Sequence, residues 1–138
     1  MSQFYRRRDF PKPSEGELRV LQVLWKNGPS TVRAVYEQLK TASGIGYTTT
    51  LKVMQVMHEK GLVLRDESSR SHVYAAAIDC DSVQQRFLDD LITTVFDGSR
   101  ERLVLQMLEA AKSTPDELAD IRDLMDKYAA QPKKETKR

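Results

Sequence analysis

A chain of 138 residues with 40% hydrophobic and 30% charged side chains has the composition of a soluble globular protein of one ordinary domain or two small ones. The basic opening MSQFYRRRDFPKPSEGE is followed by no apolar segment, and no apolar run of about 18 residues occurs later. A secretory signal and a membrane insertion are thereby excluded, the expected location is cytoplasmic, and the single cysteine, Cys80, permits neither an internal disulfide nor a cysteine cluster.

Residues 1–13 are polar and basic with two prolines and are expected to form a flexible arm. Ser14-Glu-Gly-Glu17 reads as a capping box, and Leu18, Leu21 and Trp25 continue it as a helical stripe that ends near Gly28-Pro29. Ser30 or Thr31 opens a second helix with Val32, Val35, Tyr36 and Leu39 on one face. After a loop over residues 41–46, a third helix is predicted from Tyr47 to Lys60, closed by Gly61. Leu62–Asp66 and His72–Ala76 read as two short strands joined by the polar turn Glu67–Ser71. This order over residues 14–79 is that of a winged helix-turn-helix: three helices plus a β-hairpin wing.

Residues 80–130 read as three further helices, so the expected fold class is mainly α, a winged helix followed by a three-helix domain. Asp81 is expected to cap the first of these helices, which carries Val83, Phe87, Leu91 and Val95 and stops at Asp97-Gly98. The second carries Leu103, Val104, Met107, Leu108 and Ala111; the third opens on the capping box Thr114-Pro-Asp-Glu117 and carries Leu118, Ile121, Met125 and Tyr128. Three short helices bury little alone, so Phe87, Leu91, Val95, Leu103, Met107, Leu118, Ile121 and Met125 are expected to meet a second copy in a homodimer. Residues 131–138 are expected to form a basic, solvated tail.

Charge follows the same division. Residues 1–78 hold 12 Lys and Arg against 7 Asp and Glu, whereas residues 79–132 hold 6 against 12. A basic half suits a polyanion, and an acidic half suits another task. On the third helix, Thr48, Lys52, Gln55 and Glu59 fall at i, i+4, i+7 and i+11, opposite Val53, Met54 and Met57. Hydroxyl, ammonium and amide groups on one exposed face are the chemistry that reads base edges in a major groove, which makes double-stranded operator DNA the expected partner. Thr48, Thr49, Lys52 and Gln55 are the candidate base-reading residues, and Arg65, Arg70 and His72 of the hairpin are candidate phosphate contacts. Arg6, Arg7 and Arg8 could follow the DNA backbone if ordered.

An enzyme is not indicated. His58 and His72 are the only histidines and have no metal-ligand spacing, Cys80 has no sequence-local histidine, and no glycine-rich phosphate loop is present. No cofactor or metal is therefore implied. The competing reading is a winged helix used as a protein-interaction module, for which binding would depend only weakly on salt.

Four segments in order, LRVLQVLW (Leu18–Trp25), GYTTTLKVMQVMHEKGLV (Gly46–Val63), LITTVFDGSRERLVLQMLE (Leu91–Glu109) and STPDELADIRDLMDK (Ser113–Lys127), resemble the penicillinase-repressor (BlaI/MecI type) family of winged-helix regulators. The resemblance implies a dimer reading a dyad-symmetric operator, with Tyr47-Thr48-Thr49 opening the recognition helix and the C-terminal helices forming the dimer. It also implies derepression by proteolysis in that C-terminal domain, triggered through a membrane metallopeptidase sensor. Val56 and Glu59 stand where family members often carry basic residues, which implies a different operator sequence. The prototype Asn-Phe cleavage position corresponds here to Gln106-Met107, the candidate cleavage site. The cysteine-rich C-terminus of copper-responsive relatives has no counterpart.

Overall fold

Helix α1 (Glu15–Asn27) starts where the sequence pattern puts it: the Ser14 hydroxyl accepts from the Glu17 N–H at 3.2 Å, and the Ser14 N–H donates to Glu17 Oε1 at 2.9 Å. The computed structural model describes residues 10–110 and 113–131. The expectations for Arg6–Arg8, Ala111 and the tail residues Lys133, Lys134, Lys137 and Arg138 lie outside these. Two compact units divide the chain, Met1–Leu91 and Ile92–Arg138.

In the first unit, the two-residue strand β1 (Ser30–Thr31) leads into α2 (Val32–Ser43), with the Thr31 hydroxyl accepting from the Ala34 N–H as N-cap. Helix α3 (Tyr47–Lys60) follows, then β2 (Val63–Asp66) and β3 (Val73–Ala76). The sheet order is β1-β3-β2, all antiparallel, with Ser30 opposite Tyr74 and Arg65 opposite Tyr74 on the other side. The sequence pattern gave no sign of β1. Val20, Leu21 and Leu24 of α1, Val35 of α2, Met54 and Met57 of α3, Leu62 just before β2, and Val63 and Tyr74 of the sheet belong to one core. The Trp25 indole N–H donates to the Ile78 carbonyl at 2.9 Å and ties α1 to the chain leaving the sheet.

Several expectations need correction here. Phe10, assigned to the arm, is 2% exposed and belongs to the core. Its carbonyl accepts from the Arg86 guanidinium at 2.8 Å, that guanidinium lies 5.6 Å from its ring, and Lys12 pairs with Asp90 at 3.0 Å. The ordered unit also continues past residue 79 into α4 (Cys80–Thr94), because Val83 is buried in the same core and Phe87 packs against it beneath Lys12. Phe87, expected at a dimer interface, is thus engaged within its own chain. The cap of α4 is also two residues earlier than expected: the Asp79 carboxylate, not Asp81, accepts from the Ser82 N–H at 3.1 Å and the Ser82 hydroxyl at 2.7 Å.

Within the second unit, the chain turns through Asp97 (φ 52) and Gly98 (φ 82), and the Gly98 N–H returns to the Ile92 carbonyl at 2.8 Å. Helix α5 (Arg100–Ala110) follows, then α6 (Pro115–Ala130), which has the Thr114/Glu117 capping box and proline in its first turn. Among the described residues of α5 and α6 none is buried.

Glu17 also closes the first unit from another side. Its side chain is 6% exposed, and its carboxylate accepts from the Lys60 ammonium at 2.7 Å, joining the start of α1 to the end of α3. Burial opposes its ionisation, but Lys60 and the Ser14 backbone N–H outweigh that, so the carboxyl titrates below its ordinary 4.5. A lowered folded-state value stabilises the fold above the ordinary pKa, and that stability is lost as the pH falls through the lowered value. Glu17→Gln keeps an acceptor for the cap and removes the ion pair. It should cost about 1 kcal/mol at neutral pH and flatten the acid limb of a denaturation profile. Phe10→Ala should cost about 3–5 kcal/mol in chemical denaturation, as for a core aromatic, whereas an arm residue would cost nothing.

Candidate nucleic-acid interface

Helix α3 is rotated by its own apolar side. Met54 and Met57 are fully buried, and Thr50 is buried with its hydroxyl donating to the Gly46 carbonyl at 3.0 Å. A helix held on that side must present the opposite one. Thr48, Thr49, Lys52, Gln55 and Glu59 are accordingly exposed, and Tyr47 is partly so at the first position of the helix. At the far end Gly61 takes the left-handed conformation (φ 82), which allows the Leu62 N–H to reach the Met57 carbonyl and turns the chain into β2.

The β2–β3 turn is a polar wing. The Asp66 carboxylate accepts from the Ser68 N–H at 2.9 Å, a contact that holds its carboxyl below the usual range and shapes the turn. Arg70 lies exposed in this turn. Between the wing, α3 and the start of α2 is a groove of about 330 Å³ lined by Thr31, Val32, Arg33, Tyr47, Leu51, Gln55, Arg70, Ser71, His72 and Tyr74. Four sequence-derived candidates, Tyr47, Gln55, Arg70 and His72, meet there. Thr48, Thr49 and Lys52 continue the exposed face of α3 beside it.

Arg65 is placed differently. It sits on β2, half-buried, with its Nε donating to Glu67 Oε2 at 2.6 Å. Its charge is largely spent on Glu67, whose own carboxyl Arg65 holds below the usual range. Arg33, which the sequence reading did not single out, does line the groove. Its only sequence signal is a cation in the first turn of α2, where the helix dipole disfavours one.

In the second unit, Leu91's neighbour along the stripe, Val95, is 65% exposed, and Met107, Leu118 and Met125 are exposed as well, while Leu103 and Ile121 are half-covered. Leu91 itself, at the end of the first unit, is exposed. Gln106 and Met107 lie within α5, both exposed; Gln106 borders a cavity of about 550 Å³ with Val95, Phe96, Asp97 and Arg102. No described helix is long and apolar enough to cross a membrane, and among the described residues no group of three or more His, Cys, Asp or Glu side chains could hold a metal.

Three helices, a hairpin wing and an exposed polar face on the third helix define a winged helix-turn-helix protein. The chain belongs to the penicillinase repressor family, whose model matches residues 13–127. It is 33% identical over 95 residues to the transcriptional regulator BlaI of Mycobacterium tuberculosis (strain H37Rv), covering 67% of this chain and 69% of that one. It is 21% identical over 118 residues to the penicillinase repressor of Bacillus licheniformis, covering 86% and 92% of the two chains. It is 18% identical over 114 residues to the methicillin resistance regulatory protein MecI of Staphylococcus aureus (strain N315), covering 83% and 93%. The solution structure of the DNA binding domain of the repressor BlaI aligns with a TM-score of 0.48 at 26% identity, over 54% of this chain and 90% of that one. The family consists of transcriptional repressors, not enzymes.

Proposed function

We propose that this chain represses transcription by binding a dyad-symmetric DNA operator as a homodimer. The observation that carries the reading is the exposed face of α3, Thr48, Thr49, Lys52 and Gln55, set beside a groove whose lining includes Arg33 and Arg70 and no acidic residue. Lysine and glutamine on such a face match guanine and adenine edges, and the threonines match the thymine methyl. Arg70 supplies a backbone contact from the wing. The apolar surfaces of α5 and α6, with nothing buried among their described residues, are the surfaces a second copy would cover.

Release from DNA is proposed to follow cleavage of the second unit at Gln106-Met107, with a membrane metallopeptidase sensor as the source of the signal. The bond lies inside α5, so local opening of that helix must precede attack. Cutting there separates the α6 stripe from the rest and weakens a shared interface in both protomers. In induced cells, intact-mass measurement should reveal a fragment ending near residue 106; derepression without it would overturn this route.

Lys52→Ala and Gln55→Ala should each cost about 1–3 kcal/mol in operator binding and relax discrimination at one base position. Arg70→Ala should weaken binding to all sequences alike, and Arg65→Ala should do so less, because Glu67 already neutralises it. Equal affinity of the parent chain for a selected operator and scrambled DNA would overturn the repressor reading. Leu118→Asp with Met125→Asp, both at exposed sites, should leave the monomer folded and shift sedimentation from dimer to monomer at micromolar concentration. The same change should weaken operator binding, since each half-site then binds without the gain of linkage.

A further inference from the structure

Arg33 is held in an unusual way. Its guanidinium lies 4.6 Å from the centroid of the Tyr47 ring and 5.7 Å from that of Tyr36, and the two rings meet edge to face at 5.8 Å and 81°. The side chain is itself exposed, and the nearest ion-pair contact among the described residues, to Glu37, is at a loose 3.8 Å. Glu37 has a closer partner in Lys40 at 2.6 Å, and its carboxyl is held below the usual range first by that contact. The carboxylate charge is therefore shared, and the cluster of Arg33, Glu37 and Lys40 keeps a net positive charge.

Stacking on an aromatic ring engages the flat face of a guanidinium and leaves its N–H edges free to donate. Those edges belong to a residue lining the groove that Arg70 also lines from the wing. A cation in the first turn of α2 is opposed by the helix dipole, so helix stability does not account for it.

We propose that Arg33 and Tyr47 act as one contact, the tyrosine ring holding the guanidinium over the groove so that it neutralises a backbone phosphate of bound DNA. This rests on the DNA-binding reading above. Tyr47 then has a positioning role apart from any base contact of its own. Holding the arginine before DNA arrives reduces the side-chain freedom lost on binding.

The test is equilibrium binding of the full-length chain to an operator fragment selected from genomic DNA, measured across a range of salt concentrations. Arg33→Ala should lower the slope of log affinity against log salt by about 0.9, the share of one phosphate. It should weaken binding to operator and scrambled DNA by a similar factor. Tyr47→Leu should weaken binding too, and on that background Arg33→Ala should have much less effect than in the parent. Tyr47→Phe, which keeps the ring, should preserve the full effect of Arg33→Ala. Thermal unfolding of each variant should match the parent, since both side chains are at the surface. An unchanged slope in Arg33→Ala overturns the phosphate contact, and effects of Arg33→Ala and Tyr47→Leu that simply multiply overturn the pairing. A parent chain without salt-dependent DNA binding overturns the repressor reading itself, and with it this contact, before any variant is compared.

Discussion

The display of α3 depends on the burial of Thr50, Met54 and Met57 beneath it. With those three side chains in the core, the helix can take only one rotation about its axis, and Lys52 and Gln55 have only one direction in which to point. Polar atoms do not spoil the packing, because the Thr50 hydroxyl is satisfied within the helix by the Gly46 carbonyl. The far end is fixed by the Lys60–Glu17 contact, and Glu17 is at once the N3 residue of the α1 capping box and a buried anion. One carboxylate thus sets the start of α1 and the end of α3 together, which makes the angle between the two helices a matter of side-chain chemistry as well as of packing.

The two halves of the chain divide their labour by burial. The first unit has a full core that includes Phe10 and Val83, and it can commit its exposed polar face to a ligand. The second leaves Leu105, Leu108, Leu124 and Tyr128 exposed, the last at 70%. Units this small are marginal by themselves, and apolar surface of this extent is ordinarily covered. The acidic balance of residues 79–132 keeps that surface unattractive to DNA, so the polyanion is left to the basic half.

Much of the architecture was legible in the sequence because it is locally encoded. Capping boxes at Ser14 and Thr114, the glycine after Lys60 and the 3.6-residue periodicity of α3 each depend on residues within a few positions of one another. What escaped notice depends on partners far along the chain. Strand β1 is two residues that pair with β3 more than forty positions later, too short to carry an alternating pattern. Phe10 sits among prolines and basic residues and is ordered by Arg86, 76 positions away. Arg33 acquires its meaning from Tyr47, which only the fold brings under it. The pairing of Arg65 was the exception: Glu67 is two residues on, just past the end of β2, and a local cation–carboxylate pair could have been read directly. The cap of α4 was read at Asp81, and only the geometry of the turn shows that Asp79 fills it.

Strand order has a consequence for how copies of this protein can meet. Because β3 is central, the hydrogen-bonding edges of the sheet are β1, two residues long, and β2, four residues long with Arg65 and Asp66 in its outer half. Neither edge offers a long, flat, apolar row of unpaired backbone groups onto which another strand could zip. Copies crowded side by side on neighbouring sites therefore offer one another little template for intermolecular β pairing, and contact between them is left to helical surfaces, where side-chain shape decides which partner fits.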